Sequence, residues 1–152
     1  MKRRGAIAMT DEEVRAFLAE QRTLIVASLN RDGTPHLVAM WYALVDGRVA
    51  FWTYAKSQKA RNLARDPRIT CLVEAGARYE ELRGVQLRGR AEMTDDRAMV
   101  QRVGEAVAER YAGPLDDRAR QHVAVAGAKR VAITVRPDAV ISSDHRKLGD
   151  AA

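Results

Sequence analysis

The sequence predicts an α+β protein, mainly β, in which six antiparallel strands close partly into a barrel with helices on its flanks. Three observations predict it. Short β-rich runs follow one another through turn signals, "NRDG" at 30–33 and "DG" at 46–47, and hairpins of this kind pair strands antiparallel. The run "PHLVAMWYALV" at 35–45 is apolar on both faces, which suits a barrel wall with something packed outside it. Helical stretches enter at only three places and do not alternate with the strands, which argues against a doubly wound sheet.

Each element has a local reason. Thr10 followed by Asp11, Glu12 and Glu13 reads as a capping box, and Val14, Phe17 and Leu18 recur at helical spacing, so a first helix is expected over 11–21. Strands are expected at 23–29, 35–45, 48–54, 68–74, 85–93 and 129–137, with a last strand and tail beyond 138. A short second helix begins at Ser57 and is stopped by Asp66-Pro67. Thr94-Asp95-Asp96 starts a longer helix to about 111, "GPLDD" breaks it, and a further helix fits 117–126.

The chain has 152 residues, 47% apolar and 30% charged, which fits one soluble domain with a real core. That domain is expected over 10–149, after a flexible N-terminal tail at 1–9. "MKRRGAIAM" is basic, and its apolar stretch is too short for a secretory signal. No run of about 18 apolar residues offers a membrane span. The single Cys71 excludes an internal disulfide framework and points to a cytoplasmic location.

Net charge is +6, which favours an anionic partner: nucleic acid, a lipid surface or a phosphorylated ligand. The excess is concentrated. Residues 56–68 hold Lys56, Lys59, Arg61, Arg65 and Arg68 against Asp66 alone. Ser57 is a good N-cap, Lys59 and Asn62 share a helix face, and Ala60, Leu63 and Ala64 supply a buried stripe. The free amides of a helix N-terminus, with a hydroxyl and a lysine beside them, make a phosphate seat. A capped surface helix with solvated cations fits the same residues, and is the commoner case.

Five of the eight aromatic residues, Trp41, Tyr42, Phe51, Trp52 and Tyr54, fall on two adjacent expected strands. They can line a flat ring ligand or simply be core. Their place in apolar strands, away from the basic residues, argues against a stacking platform for single-stranded nucleic acid. His36, His122 and His145 lack metal-ligand spacing, so no metal is expected. The serines lack a nucleophile elbow, and neither a dinucleotide fingerprint nor a P-loop occurs.

The order of elements carries a resemblance. The strands "PHLVAMWYALVDG" and "RVAFWT", then "SQKARNLARDPR" and "ITCLVE", resemble the FMN-binding split barrel of the pyridoxamine 5'-phosphate oxidase-like superfamily. "WTYAKSQKARNLARDPRI", "LRGVQLRGRAEM" and the ending "VISSDHRKLG" resemble its deazaflavin branch, the oxidoreductases that use coenzyme F420. The likeness runs from about residue 10 to 149. It implies Ser57 and Lys59 as cofactor-phosphate ligands with Asn62 close by. It implies Val38, Ala39, Met40 and Trp41, with Thr53, as the wall for the ring system. It also implies a homodimer with cofactors in grooves between the subunits, where strand 85–93 and the C-terminal tail contribute from the second chain. The places where the oxidases carry an arginine and a lysine read Leu37 and Tyr42 here, and their Ser-Arg-Lys reads Ser57-Gln58-Lys59. These departures favour F420 over FMN, which stands as the alternative.

F420 has an apolar tricyclic head, one phosphodiester and a tail of glutamates. Arg61, Arg65, Arg88 and Arg90 are the candidates for that tail. The cofactor carries the hydride, so no catalytic side chain is assigned. Tyr42 and His145 are candidate proton donors. The resemblance implies reduction of an electrophilic organic substrate such as an enone, a quinone or a biliverdin-like tetrapyrrole. A cofactor-binding protein without turnover is a further reading.

Overall fold

Seven strands form a single sheet in the order β2-β1-β5-β6-β7-β4-β3, every neighbouring pair antiparallel, in the computed structural model, which describes residues 3–151. The strands are β1 (Thr23–Leu29), β2 (Pro35–Trp41), β3 (Ala43–Val45), β4 (Arg48–Tyr54), β5 (Arg68–Ala75), β6 (Arg83–Thr94) and β7 (Arg130–Asp144). β2 and β3 are the two edges of this sheet, yet Tyr42 alone separates them in sequence. A sheet whose opposite edges are joined by one residue must curl until they nearly meet. That is the split barrel.

The same joint explains where the strand count departs from expectation. The run 35–45 is two strands, because Tyr42 leaves the ladder and turns fully inward. Conversely, 130–144 is one continuous strand where two were expected. The Asp46-Gly47 turn takes positive φ at both residues, 53° and 76°, the backbone of a tight hairpin that lets β3 and β4 pair. At the β6 bulge, Gly89 lies so close to Arg136 that a Cβ would sit 2.0 Å from its carbonyl oxygen, so only glycine fits.

Five helices flank the barrel: α1 (Arg3–Ala6), α2 (Asp11–Glu20), α3 (Gln58–Arg65), α4 (Arg97–Ala112) and α5 (Asp117–Ala126). The Thr10 capping box forms as the sequence predicts, the Thr10 amide donating to Glu13 Oε1 and the Glu13 amide to Thr10 Oγ1. Asp96, the last residue of the Thr94-Asp95-Asp96 run, caps α4. Phe17 and Leu18 of α2 join the barrel interior, where Leu24, Val26, Tyr42, Phe51, Val85 and Ile133 are fully buried. A second cluster lies outside the barrel, where Val100, Val103 and Val107 of α4 pack on Ala43, Val45, Ala50 and Ala132. The two clusters cover both faces of the 43–45 end of the run read as apolar on both faces, while Leu37 and Trp41 on the outer face of its 35–41 part stay exposed.

Of the tail expected at 1–9, residues 1 and 2 lie outside the described residues. Residues 3–6 form a helical turn, Ile7 is buried, and the Met9 amide donates to Ser142 Oγ at 2.9 Å.

Candidate functional site

Strand β4 ends at Tyr54, and a tight turn leads into α3, with the Ser57 amide donating to the Tyr54 carbonyl. Ser57 is the N-cap, its Oγ accepting from the Ala60 amide at 3.2 Å. The amides of Gln58 and Lys59 in that first turn have no partner within the helix. Thr53, buried at the end of β4, brings its hydroxyl within 3.3 Å of Ser57 Oγ. Lys59 Nζ donates to Thr53 Oγ1 at 3.0 Å. Burial lowers the Lys59 pKa below the ordinary lysine value, and Lys59 forms no ion pair among the described residues. The sequence therefore places two hydroxyls and a partly desolvated ammonium around one helix N-terminus, with no carboxylate to answer the charge.

Asn62 lies deeper. It is 0% exposed, and all its hydrogen-bonding capacity faces protein. Its amide donates to Ser28 Oγ and Asn30 Oδ1, and its oxygen accepts from Gln58 Nε2 and Arg65. It ties α3 to β1 and the 30–33 turn, so it shapes the seat from behind. Asn62 takes the buried place expected of Ala64, which is exposed.

The four β2 residues divide by strand alternation. Val38 and Met40 are half-buried and pack against the barrel interior. Ala39 and Trp41 face outward, Trp41 stacked on Tyr111 with centroids 4.1 Å apart and planes 7° from parallel. They do not form one wall. The arginines also separate. Arg61 is exposed beside the seat, and its side chain has no hydrogen bond or ion pair among the described residues. Arg65 donates to the Leu29 carbonyl and to Asn62. Arg88 and Arg90 lie on the outer sheet face, opposite Thr70 and Arg68 of β5.

Of the two candidate proton donors, Tyr42 lacks the setting that role needs. Tyr42 is fully buried, its hydroxyl donating to the carbonyls of Leu18 (2.6 Å) and Gln21 (3.0 Å), and burial raises its pKa. Arg110 lies over its ring at 4.3 Å and donates to the same α2 carbonyls, so the pair caps that helix. This corrects the reading of Tyr42 as a substrate-side donor. His145 lines a cleft of about 710 Å³ on the outer sheet face, where its Nδ1 lies 2.9 Å from the Tyr79 carbonyl. In the sequence His36 figures only as a histidine without metal-ligand spacing. It shares a concavity with Gln58, and its Nδ1 is buried with no hydrogen-bond partner. The only sequence signal was its alternation with Val38 and Met40.

The tail "SSDHRKLG" is used within the chain. Asp144 is buried and paired with Arg146 at 2.8 Å, which holds its carboxyl below the usual range. Lys147 bridges Glu13 and the Ala8 carbonyl. Among the described residues no group of three or more His, Cys, Asp or Glu can hold a metal ion, and no helix is long and apolar enough to cross a membrane. Cys71 is buried, its thiol pushed up to about 12 by burial.

The chain aligns over 98% of its length with a conserved hypothetical protein, Rv2991, from Mycobacterium tuberculosis, at 44% identity and a TM-score of 0.93, covering 93% of that chain. It aligns with an F420 reductase at 28% identity and a TM-score of 0.62, covering 83% of this chain and 94% of that one. HutZ, the heme storage protein of Vibrio cholerae, shares the fold at 15% identity and a TM-score of 0.69, over 88% of this chain and 94% of that one. No curated protein matches. Residues 10–144 match the family described as pyridoxamine 5'-phosphate oxidase, and with its curled antiparallel sheet, open at the seam between the β2 and β3 edges, the chain belongs to that split-barrel family.

Proposed function

We propose that the protein is an oxidoreductase that seats the phosphate of a deazaflavin cofactor, coenzyme F420, at Ser57 and Lys59 and passes its hydride to an electrophilic organic substrate. One observation carries this reading: Lys59, partly desolvated and lacking any acid, is held by Thr53 beside the Ser57-capped end of α3. The donor set fits a phosphate. Burial without an anion disfavours the charged lysine, and a bound phosphate reverses that through charge-assisted hydrogen bonds. The likeness to an F420 reductase supports the choice of cofactor.

When bound, the cofactor supplies the hydride chemistry. The chain's own residues bind and orient it. Thr53, Ser57 and Lys59 fix the phosphate, Val38 and Met40 offer an apolar lining across the seam, and the Asn62 network keeps α3 in register. His36 adds a polar group in the concavity that it shares with Gln58.

The working unit is proposed to be a homodimer built on the outer sheet face. The register aligns Ala39, Ile25, Leu72, Gln86 and Ile141 in one row across five strands, and four of the five are apolar. Leu37 and Trp41 on the same face are 64% and 60% exposed, and an apolar patch of this kind marks an interface. In a dimer on this face, Arg88 and His145 serve the partner's cofactor and substrate. Sedimentation should find a dimer in the parent and a monomer in Leu37→Glu. A parent that stays monomeric at high concentration overturns the assembly.

Parallel titration with F420 and FMN tests the cofactor. F420 fluorescence should be quenched at micromolar protein, while FMN binds more weakly and the purified protein is not yellow. A yellow preparation that prefers FMN overturns the choice of F420. Normal F420 binding without turnover on enones, quinones or tetrapyrroles leaves a binding protein in place of an enzyme.

A further inference from the structure

We propose that the cleft between the Tyr54–Lys56 segment, the start of α4 and the start of β7 is a second anion site, distinct from the phosphate seat, for a small polyanion bearing carboxylates or phosphates. The cleft encloses about 450 Å³. Lys56, Arg97, Lys129 and Arg130 line it, and Asp95 is the one acid in its lining. Arg97 donates to the carbonyls of Gly127 (2.7 Å) and Arg130 (2.9 Å) and so fixes the rim.

Arg130 is the centre of the cleft's cation cluster. Its guanidinium lies over Trp52 at 4.6 Å and over Tyr54 at 4.3 Å, residues two apart on the same face of β4. Aromatic faces hold and orient a cation without neutralising it. Arg130 Nε is shut away from solvent and has no hydrogen-bond partner. Lys56 and Lys129 are exposed, and neither they nor Arg130 and Arg97 form an ion pair among the described residues. Four cations thus converge on one cavity with a single acid, a net excess that asks for a ligand of at least two negative charges.

The site is separate from the seat by strand alternation. Thr53 points to the barrel side of β4, while Trp52 and Tyr54 point to the α4 side. The two adjoin through the β4–β7 ladder, where Thr53 pairs with Val131, and through the turn, where the Ala55 amide donates to the Lys129 carbonyl at 2.9 Å. The anion has two possible sources with the same chemistry: a free metabolite, or the acidic tail of a cofactor whose phosphate occupies the seat. The anion site itself stands whether or not F420 is the cofactor.

Trp52 is a built-in reporter, and Trp41→Phe leaves it the only tryptophan. In that background, pyrophosphate and triglutamate should each give a saturable change in Trp52 emission that weakens as ionic strength rises. Lys56→Ala and Lys129→Ala should each weaken binding about threefold to fivefold, in keeping with exposed lysines. Arg130→Ala should abolish it, and near-ultraviolet dichroism checks that this variant is folded. Absence of saturable binding of both probes, or binding unchanged by Lys56→Ala and Lys129→Ala together, overturns the proposal. F420 with and without its glutamates separates the sources. A tail source requires that the two lysine variants weaken only the glutamate-bearing form. A free-anion source requires that pyrophosphate still bind to the F420-loaded protein.

Discussion

Two polar segments of this chain, 53–65 and 142–147, look alike in sequence and behave oppositely in the fold. Both mix hydroxyls, cations and an amide or acid. In 142–147 the charges find partners inside the chain: Asp144 meets Arg146, and Lys147 meets Glu13. In 53–65 the buried amide of Asn62 is fully bonded, but Lys59 reaches only a threonine hydroxyl and Arg61 reaches nothing among the described residues. A polar group whose partners are complete is part of the scaffold. A desolvated cation left without an acid is a place prepared for something else.

The contrast can be broken at its strongest point first. Asn62→Ala leaves Ser28, Asn30, Gln58 and Arg65 without their shared partner, and should cost about 2–3 kcal/mol in urea unfolding. If its stability is unchanged, the network is not what holds α3.

Arg146→Ala should cost about 1–2 kcal/mol, since Arg146 is more than half exposed and screening discounts the pair. Cofactor affinity per folded subunit should not move. The pH dependence follows from Asp144, whose pKa is lowered chiefly by its hydrogen bonds to Arg146. Its stabilisation is present above the unfolded aspartate value of about 3.9 and is lost as pH falls below it. Melting curves across that window should fall less in Arg146→Ala than in the parent.

Lys59→Ala inverts this pattern. Cofactor binding should weaken at least about tenfold through loss of a charge-assisted phosphate contact. Stability should hold or rise slightly, because burial penalises the charged lysine at neutral pH and is relieved only toward the unfolded value of about 10.4. Lys59→Ala and Ser57→Ala binding F420 as tightly as the parent would sink the phosphate assignment. Arg61→Ala, exposed and unpartnered, should change affinity by less than about threefold, and a larger loss would move Arg61 into the seat.

Much of this was legible in the chain itself. The Thr10 capping box, the Asp46-Gly47 turn and the Ser57 cap are local, because each is decided by residues within a few positions of one another. The helix at 117–126 was expected with the bounds it has. The sheet order was not local. That Tyr42 divides one apolar run into two edge strands depends on α2 carbonyls 21 and 24 residues away.

The class of fold, the hairpin turns, the cap of α3 and the gathering of positive charge at 56–68 are set by residues close together in the chain. Which of those charges are free depends on contacts between distant ones. Lys59 and Thr53 meet because β4 delivers its last inward residue beside the helix it precedes, and Asn62 is buried because β1 supplies Ser28 34 residues earlier. Arg130 was invisible as a site residue until β7 set it over Trp52 and Tyr54. Charge is a property of composition, but its satisfaction depends on which distant residues the fold brings within hydrogen-bond reach.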